Sequence, residues 1–552
     1  MYSGTRMKFD TCIPAIFIFF VMGLYAFFLF RFIPLDGLFS GDIGAKQIQI
    51  TALIYNRFSS LALPYPGASF DRLTQFSPLP ALFTWKIGVN FYSIFSYPHA
   101  ALMAIPFFLC GYAGLYVIPL LATSFSLLAG AYISRRIIPG MQLFTLLLLA
   151  LATPLSFYGL VPWEHALATC LTTWSTLFVI RAYEHSHWID GLLGGLCAAC
   201  ATWMRIETIW FIPAIIIGTV VSSGINRSIL TAMTLGLLIG LVPFVTFNFY
   251  VFGLPLGGQV AVNFGRPAIG STTDFIWLRF KITQAMLLDR NIPVFLPLLE
   301  ISLLVIARYV SKTWKLICIF GCAVLEFLSL TSIPALADRT GLLGTCPLIL
   351  GIVLLDIGKI RQIERLFLVI SGIYVLGVII SSPNDGGAQW GPRYLLPILP
   401  LLVFLSIRSV QIILKKQSSI RTGLIIVAGL FACYSFYLQL LGLQRLRTSM
   451  IDNIQLVKAT SGQQEQIVLT DEWFIPQILA QLYYNHTILY ITHPEDLSAV
   501  RRLLKQHQVS GITYVTKQGW GKNPQTQKDA GLACTYIQRA MLDLNVLHCK
   551  LE

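Results

Sequence analysis

The sequence predicts a polytopic α-helical membrane protein that ends in a small α/β domain. Of its 552 residues, 56% are hydrophobic and only 12% charged, with a mean hydropathy of +0.71, which is too apolar for a soluble domain of this size. Apolar runs long enough to cross a bilayer core recur along residues 13–441. Beyond residue 442 they give way to short β-rich segments alternating with helical ones.

About thirteen crossings account for the first region: 13–31, 113–134, 141–159, 163–181, 188–204, 207–222, 229–250, 291–309, 315–332, 341–357, 366–382, 394–412 and 422–441. Only Arg6, Lys8 and Asp10 precede the first run by way of charge, and no small-residue cleavage site follows it, so it reads as a retained helix. The stretch 94–134 sets the parity of everything after it. It reads as a helix lying in or re-entering the outer interface at 94–110, then one crossing; two crossings would turn each later basic cluster outward.

With that parity the connectors holding Arg135 and Arg136, Arg227, Lys312 and Lys315, Lys359 to Arg365, and Lys415 to Arg421 recur on the inner side, although Arg181 does not alternate cleanly. The N-terminus is then cytoplasmic, the tail extracytoplasmic, and a bacterial inner membrane the expected location. The net charge of +14 becomes a statement about topology, and nucleic acid is not an expected partner. The chain divides into a transmembrane domain, 1–441, with outer loops 32–93 and 251–290, and an extracytoplasmic α/β domain, 442–552.

In the first outer loop "DIGAKQIQITALIYNRF" has an imperfect apolar stripe, as expected of a short helix on the membrane surface. The second carries the glycine and proline punctuation of an ordered loop. In the tail "QIVLT", "TILYI" and "GITYVT" read as strands, and "PQILAQLYYN" and "PEDLSAVRRLLKQHQV" as helices. This β-α-β-α-β order implies a small, mostly parallel sheet without a glycine-rich nucleotide fingerprint. Cys197 and Cys200 read as small thiols in an apolar helix, whereas Cys534 and Cys549 can pair if the tail faces an oxidising compartment.

Charged residues at the outer boundary carry the functional information. Asp42 precedes the surface helix, where it can cap the helix or serve as a general base. Glu164 and His165 open a crossing beside Trp163, an aromatic-belt position; Asp42, Glu164 and His165 are also the candidate ligands for a divalent cation, although their spacing matches no metal motif. Arg205 and Glu207 stand two apart, on different faces of a helix if the segment is helical, and either mark a tight hairpin or line an aqueous cavity. Arg266 is a loop arginine. Arg393 follows Pro392 at the start of a crossing, beside Trp390 at the interface, where both the helix dipole and the positive-inside bias oppose it. A bound anion would reverse that sign, because helix N–H groups and a guanidinium would then act on one phosphate.

Such charges suit a substrate whose tail stays in lipid while its phosphate meets the aqueous edge. The segments "GDIGAKQIQ", "NFYSIFSYPHAALMAIPFF", "SFYGLVPWEHALA", "WMRIE" and "QWGPRYLLPILPLL" resemble the GT-C superfamily of integral-membrane glycosyltransferases, the group that includes protein mannosyltransferases and aminoarabinose transferases. The resemblance spans roughly residues 12–440, and "IVLTDEWFIPQILA" resembles the outer domain of bacterial members. It implies transfer of a sugar from a polyprenyl-phosphate donor to an acceptor hydroxyl of a glycan, lipid or protein. Asp42 would be the base and Glu164 a second acidic position, with Arg393 and, more weakly, Arg205 near the donor phosphate. The family's mannosyltransferases often have adjacent acids in the first loop; here Ile43 follows Asp42, which speaks against protein O-mannosylation. A transporter or flippase of a lipid-linked sugar, or an envelope polymer ligase, are the alternatives, and no internal repeat favours the transporter.

Overall fold

The computed structural model describes residues 3–264, 272–331, 334, 338–416, 421–462, 466–517, 531–539 and 544–551. Seven helices among these are long and apolar enough to cross a membrane: Ile13–Phe32, Tyr97–Ile137 with a break inside it, Ile206–Ser223, Arg227–Phe252, Gln362–Ser381, Arg393–Lys416 and Arg421–Ser461. The count expected from hydropathy is larger because apolar length does not ensure an unbroken helix. The run 141–159 is split into helices Gln142–Leu151 and Leu155–Gly159, and 341–357 is largely a 3-10 segment, Pro347–Leu354, begun by a proline. The 94–134 stretch divides at Gly111, whose φ of 58° suits glycine, into helices Tyr97–Cys110 and Val117–Ile137.

The chain forms two compact units. The first comprises Met1–Leu29, Tyr116–Phe247 and Arg266–Arg445 and is helical. Its helices approach closely where side chains are small. A Cβ on Gly195 would overlap the Met233 carbonyl, and one on Gly236 the Leu192 carbonyl, so helices Trp188–Met204 and Arg227–Phe252 touch backbone to backbone. Cys197 and Cys200 lie half-buried there as free thiols.

The second unit comprises Phe30–Leu115, Asn248–Gly265 and Leu446–Glu552. It contains a small antiparallel sheet of β1 (Ala62–Leu63), β2 (Thr84–Ile87) and β3 (Asn90–Ser93), in the order β1-β3-β2. Strands β4 (Ile467–Thr470), β5 (Thr487–Tyr490), β6 (Gly511–Thr516), β7 (Leu532–Arg539) and β8 (Asn545–Leu551) form a second sheet, in the order β5-β4-β6-β8-β7. The β-α-β-α-β expectation holds for β5-β4-β6, which pair in parallel. The sheet as a whole is mixed, because β7 and β8 add an antiparallel ribbon beyond that pattern. Cys534 and Cys549 face each other across this ribbon and are bonded. The expected helix at "PQILAQLYYN" shrinks to one turn, Ile475–Ile478.

Helix Gly41–Tyr55 corrects the surface-helix expectation. Its polar residues Lys46, Gln47 and Gln49 are buried because they find partners inside the unit. Lys46 lies over the Phe95 ring, Gln47 donates to the Tyr112 hydroxyl, and Gln49 accepts from the Ser93 hydroxyl. Gly44 permits a backbone-close approach to Gln477, which a Cβ would block. Replacing Gly44 with Ala is expected to destabilise this unit by about 1–3 kcal/mol through overpacking, measured as a lowered unfolding midpoint.

Asp471, just past β4, accepts from Thr516 (2.9 Å) and Tyr514 (3.2 Å), and burial pushes its carboxyl up to about 6. A carboxyl raised above its unfolded value contributes stability that is present below about pH 4 and lost as pH rises through about 6. Asp471→Asn should therefore stabilise the protein by about 1–2 kcal/mol near pH 7.5, after allowance for partial exposure, and by little near pH 4. Thermal unfolding at the two pH values checks this.

Candidate active site

The helical unit gathers four of the charged residues singled out in the sequence. Helix Trp188–Met204 ends at Arg205, whose extended backbone (φ −142°, ψ 119°) breaks the helix before the 3-10 turn Ile206–Trp210. The segment is therefore not a continuous helix, and the different-faces placement that a helix would impose on Arg205 and Glu207 does not apply. Glu207 Oε1 accepts from Arg205 Nε at 2.7 Å and from Nη2 at 2.6 Å. Arg205 Nη1 reaches Glu164 Oε1 at 2.8 Å, with both side chains nearly excluded from solvent. Burial works against the charge on Arg205, but Glu207 and then Glu164 outweigh it and hold the guanidinium above its ordinary range.

Glu164 occupies the position before helix His165–His185. The Thr172 hydroxyl on that helix donates to the Pro397 carbonyl at 2.8 Å, tying it to the 3-10 turn Arg393–Ile398. Tyr374 holds the same turn from another helix by donating to the Tyr394 carbonyl at 2.9 Å. Between these ties the Tyr394 ring lies under both cations, 5.6 Å from Arg205 and 5.3 Å from Arg393. Arg393 also sits 5.5 Å over Trp163, and Trp163 stacks on Tyr158 at 5.7 Å. His165 closes the group, with its ring 5.2 Å from both Tyr158 and Trp163.

Two expectations about the aromatic belt are corrected here. Trp163 and Trp390 are fully buried rather than interfacial. Trp163 is the platform beneath Arg393, and Trp390 packs where a Cβ on Gly442 would come within 2.6 Å of its ring. The turn before Arg393 depends on Gly391, which has φ of 74° and sits against Pro154, while its N–H donates to the Arg339 carbonyl at 2.8 Å. A side chain at that position would meet both strain and collision.

Asp42 belongs to the other unit, in the first turn of helix Gly41–Tyr55. The capping position is Ser40, so Asp42 stands two residues past the cap, within the first turn, and not at the cap itself. Arg266 lies outside the described residues. Among the described residues no group of three or more His, Cys, Asp and Glu side chains could hold a metal ion, and within the helical unit Glu164 pairs with Arg205. Sequence reasoning missed Tyr158 and Tyr394, although both lie within quoted motifs, because an aromatic in an apolar run carries no mark of facing a cation.

No family model and no curated protein matches the sequence. Solved structures do. ArnT from Cupriavidus metallidurans bound to undecaprenyl phosphate aligns over 99% of this chain and 98% of its own, at 11% identity and a TM-score of 0.51. The chain has the GT-C glycosyltransferase fold. A second GT-C likeness is to the archaeal oligosaccharyltransferase AglB from Archaeoglobus fulgidus, in complex with an inhibitory peptide and a dolichol-phosphate. It covers 93% of this chain and 70% of that one, with 11% identity and a TM-score of 0.51. An Archaeoglobus fulgidus oligosaccharyltransferase solved with zinc and sulfate aligns over 90% and 67%, at the same identity and score.

Because Arg205 is clamped by two carboxylates in a dry setting, Arg205→Ala should cost about 3–5 kcal/mol by leaving both without their cation. Adding Glu164→Gln and Glu207→Gln to that variant should recover part of the loss. Unfolding midpoints of the purified single and triple variants check both statements.

Proposed function

We propose that this chain transfers a sugar from a polyprenyl-phosphate donor to an acceptor hydroxyl at the outer face of a bacterial inner membrane. The observation that carries the reading is the likeness, over almost the full length of both chains, to a protein solved with undecaprenyl phosphate. The cluster of Arg393 over Trp163 and Tyr394, beside the Arg205 clamp, adds the chemistry that a lipid phosphate requires. In this reading the chain crosses the membrane about thirteen times, its N-terminus is cytoplasmic and the unit bearing Asp42 and the C-terminal sheet is extracytoplasmic.

The reaction follows from the residue types. Asp42 takes the proton from the acceptor hydroxyl as that oxygen attacks the anomeric carbon. The bond from anomeric carbon to phosphate oxygen breaks, and the phosphate leaves with the electron pair, its growing negative charge met by Arg393. A single displacement inverts the anomeric centre. Arg205 is better suited to a different task than the direct phosphate contact expected of it. Its donors are committed to Glu164 and Glu207, so it fixes those carboxylates and the Tyr394 ring on which Arg393 rests.

Asp42→Asn should lower turnover by about 10²–10⁴-fold while leaving affinity for undecaprenyl phosphate unchanged. Release of free lipid phosphate from a polyprenyl-phosphate sugar in reconstituted membranes measures this, and normal turnover would remove Asp42 from its role. Arg393→Ala should weaken undecaprenyl phosphate binding by about 10- to 100-fold, as expected for loss of a charge-assisted contact. Equal affinity of variant and wild type would sink the donor-site assignment.

A further inference from the structure

The unit that carries Asp42 also brings an open aromatic ring close to the helix of that base. Ala45 lies one turn beyond Asp42 in helix Gly41–Tyr55, and so on the same side of it; it is buried together with Phe83 and Phe95. Phe83 lies 6.1 Å from Phe95 and stacks on Trp473 at 5.9 Å, with the two planes 20° apart. The start of the helix is held against the same segment, since a Cβ on Gly41 would come within 3.8 Å of Phe474 and 3.6 Å of Gln477. Unlike Ala45, Phe83 and Phe95, Trp473 is 46% exposed. A tryptophan fixed by a stacked neighbour and open on its other side is a rigid platform, with little side-chain freedom to lose on binding.

Strand order explains why Trp473 is there. From β4 the chain runs to β5 on one side and then crosses to β6 on the other, with all three strands parallel. Ligands of open α/β sheets bind beyond the carboxyl ends of the strands, at the point where such connections diverge. Asp471, Glu472 and Trp473 leave β4 at that end. Asp471 is used internally, by Thr516 and Tyr514, and one residue further along each strand Lys517 comes beside Glu472. Glu472 and Lys517 are both partly exposed. A hydrogen-bond acceptor and a donor thus stand at the rim of the Trp473 platform.

An anion would be repelled by Glu472, and an acyl chain would leave both rim groups unused. A pyranose matches the whole arrangement. Its C–H face carries the slight positive charge that the negative face of an indole attracts, and its hydroxyls both donate and accept, as Glu472 and Lys517 require. We propose that Trp473 and Glu472 form an acceptor subsite for a pyranose, so that the hydroxyl from which Asp42 takes the proton belongs to a glycan. The subsite's place in the reaction rests on the sugar-transfer reading proposed above; pyranose binding itself does not.

The test uses the full chain in phosphatidylglycerol nanodiscs, free of glycosidic detergent. Methyl α-D-mannopyranoside, methyl β-D-glucopyranoside and methyl β-D-galactopyranoside are titrated in turn, and saturation-transfer NMR gives the affinity for each. At least one should bind, with the strongest transfer to the ring C–H protons of one face. Trp473→Ala should weaken that glycoside about 2- to 12-fold, and Trp473→Phe, which keeps a ring, should restore most of the loss. Glu472→Gln should weaken it about 2- to 10-fold, as expected when a hydrogen bond loses its charge. No binding of any of the three by wild type, or equal affinity in Trp473→Ala, would overturn the subsite and leave the ring to a peptide or lipid neighbour. Release of lipid phosphate is read separately. Trp473-dependent binding in a chain that releases none upholds the pyranose site and removes sugar transfer, whereas release without such binding upholds transfer and removes the site.

Discussion

Arg205 must keep its charge in a setting almost without water, and the local architecture of the helical unit follows from that requirement. A buried guanidinium is tolerated only when carboxylates meet it in good geometry. One of them, Glu207, is two residues away, which a continuous helix would place on another face. The chain resolves this by stopping the helix at Arg205 in an extended conformation and resuming in a 3-10 turn. The other carboxylate, Glu164, comes from the start of a neighbouring helix, so the ion pair also fixes where that helix begins.

The aromatic residues around the clamp extend the same logic. Tyr394 offers one ring to two cations, and Trp163, backed by Tyr158, supports Arg393 from another side. Rings can face a cation in a dry interior without adding charge. Trp163, which resembled an interface anchor, belongs to this internal scaffold, and Trp390 is likewise buried, against Gly442. Gly391 and Pro392 bring Arg393 into it by a turn that no side chain at position 391 would permit.

A different economy governs the unit that carries Asp42. Its helix Gly41–Tyr55 has a weak apolar stripe because it is enclosed by other parts of the same unit, and its lysine and glutamines are matched by Phe95, Tyr112 and Ser93. Periodicity detects a helix with one wet face; it does not detect one buried on several. The C-terminal sheet illustrates a related limit. Its parallel half was legible because strand and helix patterns alternate there, whereas β7 and β8 are held by pairing to β6 and by the bond between Cys534 and Cys549.

By itself the sequence determined that this is a polytopic helical membrane chain with a compact α/β tail, and it marked Asp42, Glu164, Arg205, Glu207 and Arg393 as charges in need of a reason. Those properties are written in composition and local pattern, because apolar length and charge placement are felt residue by residue. Only the tertiary structure decided that Arg205 pairs with both glutamates and that Arg393 rests on Trp163 and Tyr394. Each of these depends on residues brought together from separate helices, and the energy of a buried charge is set by neighbours in space, which sequence order does not specify.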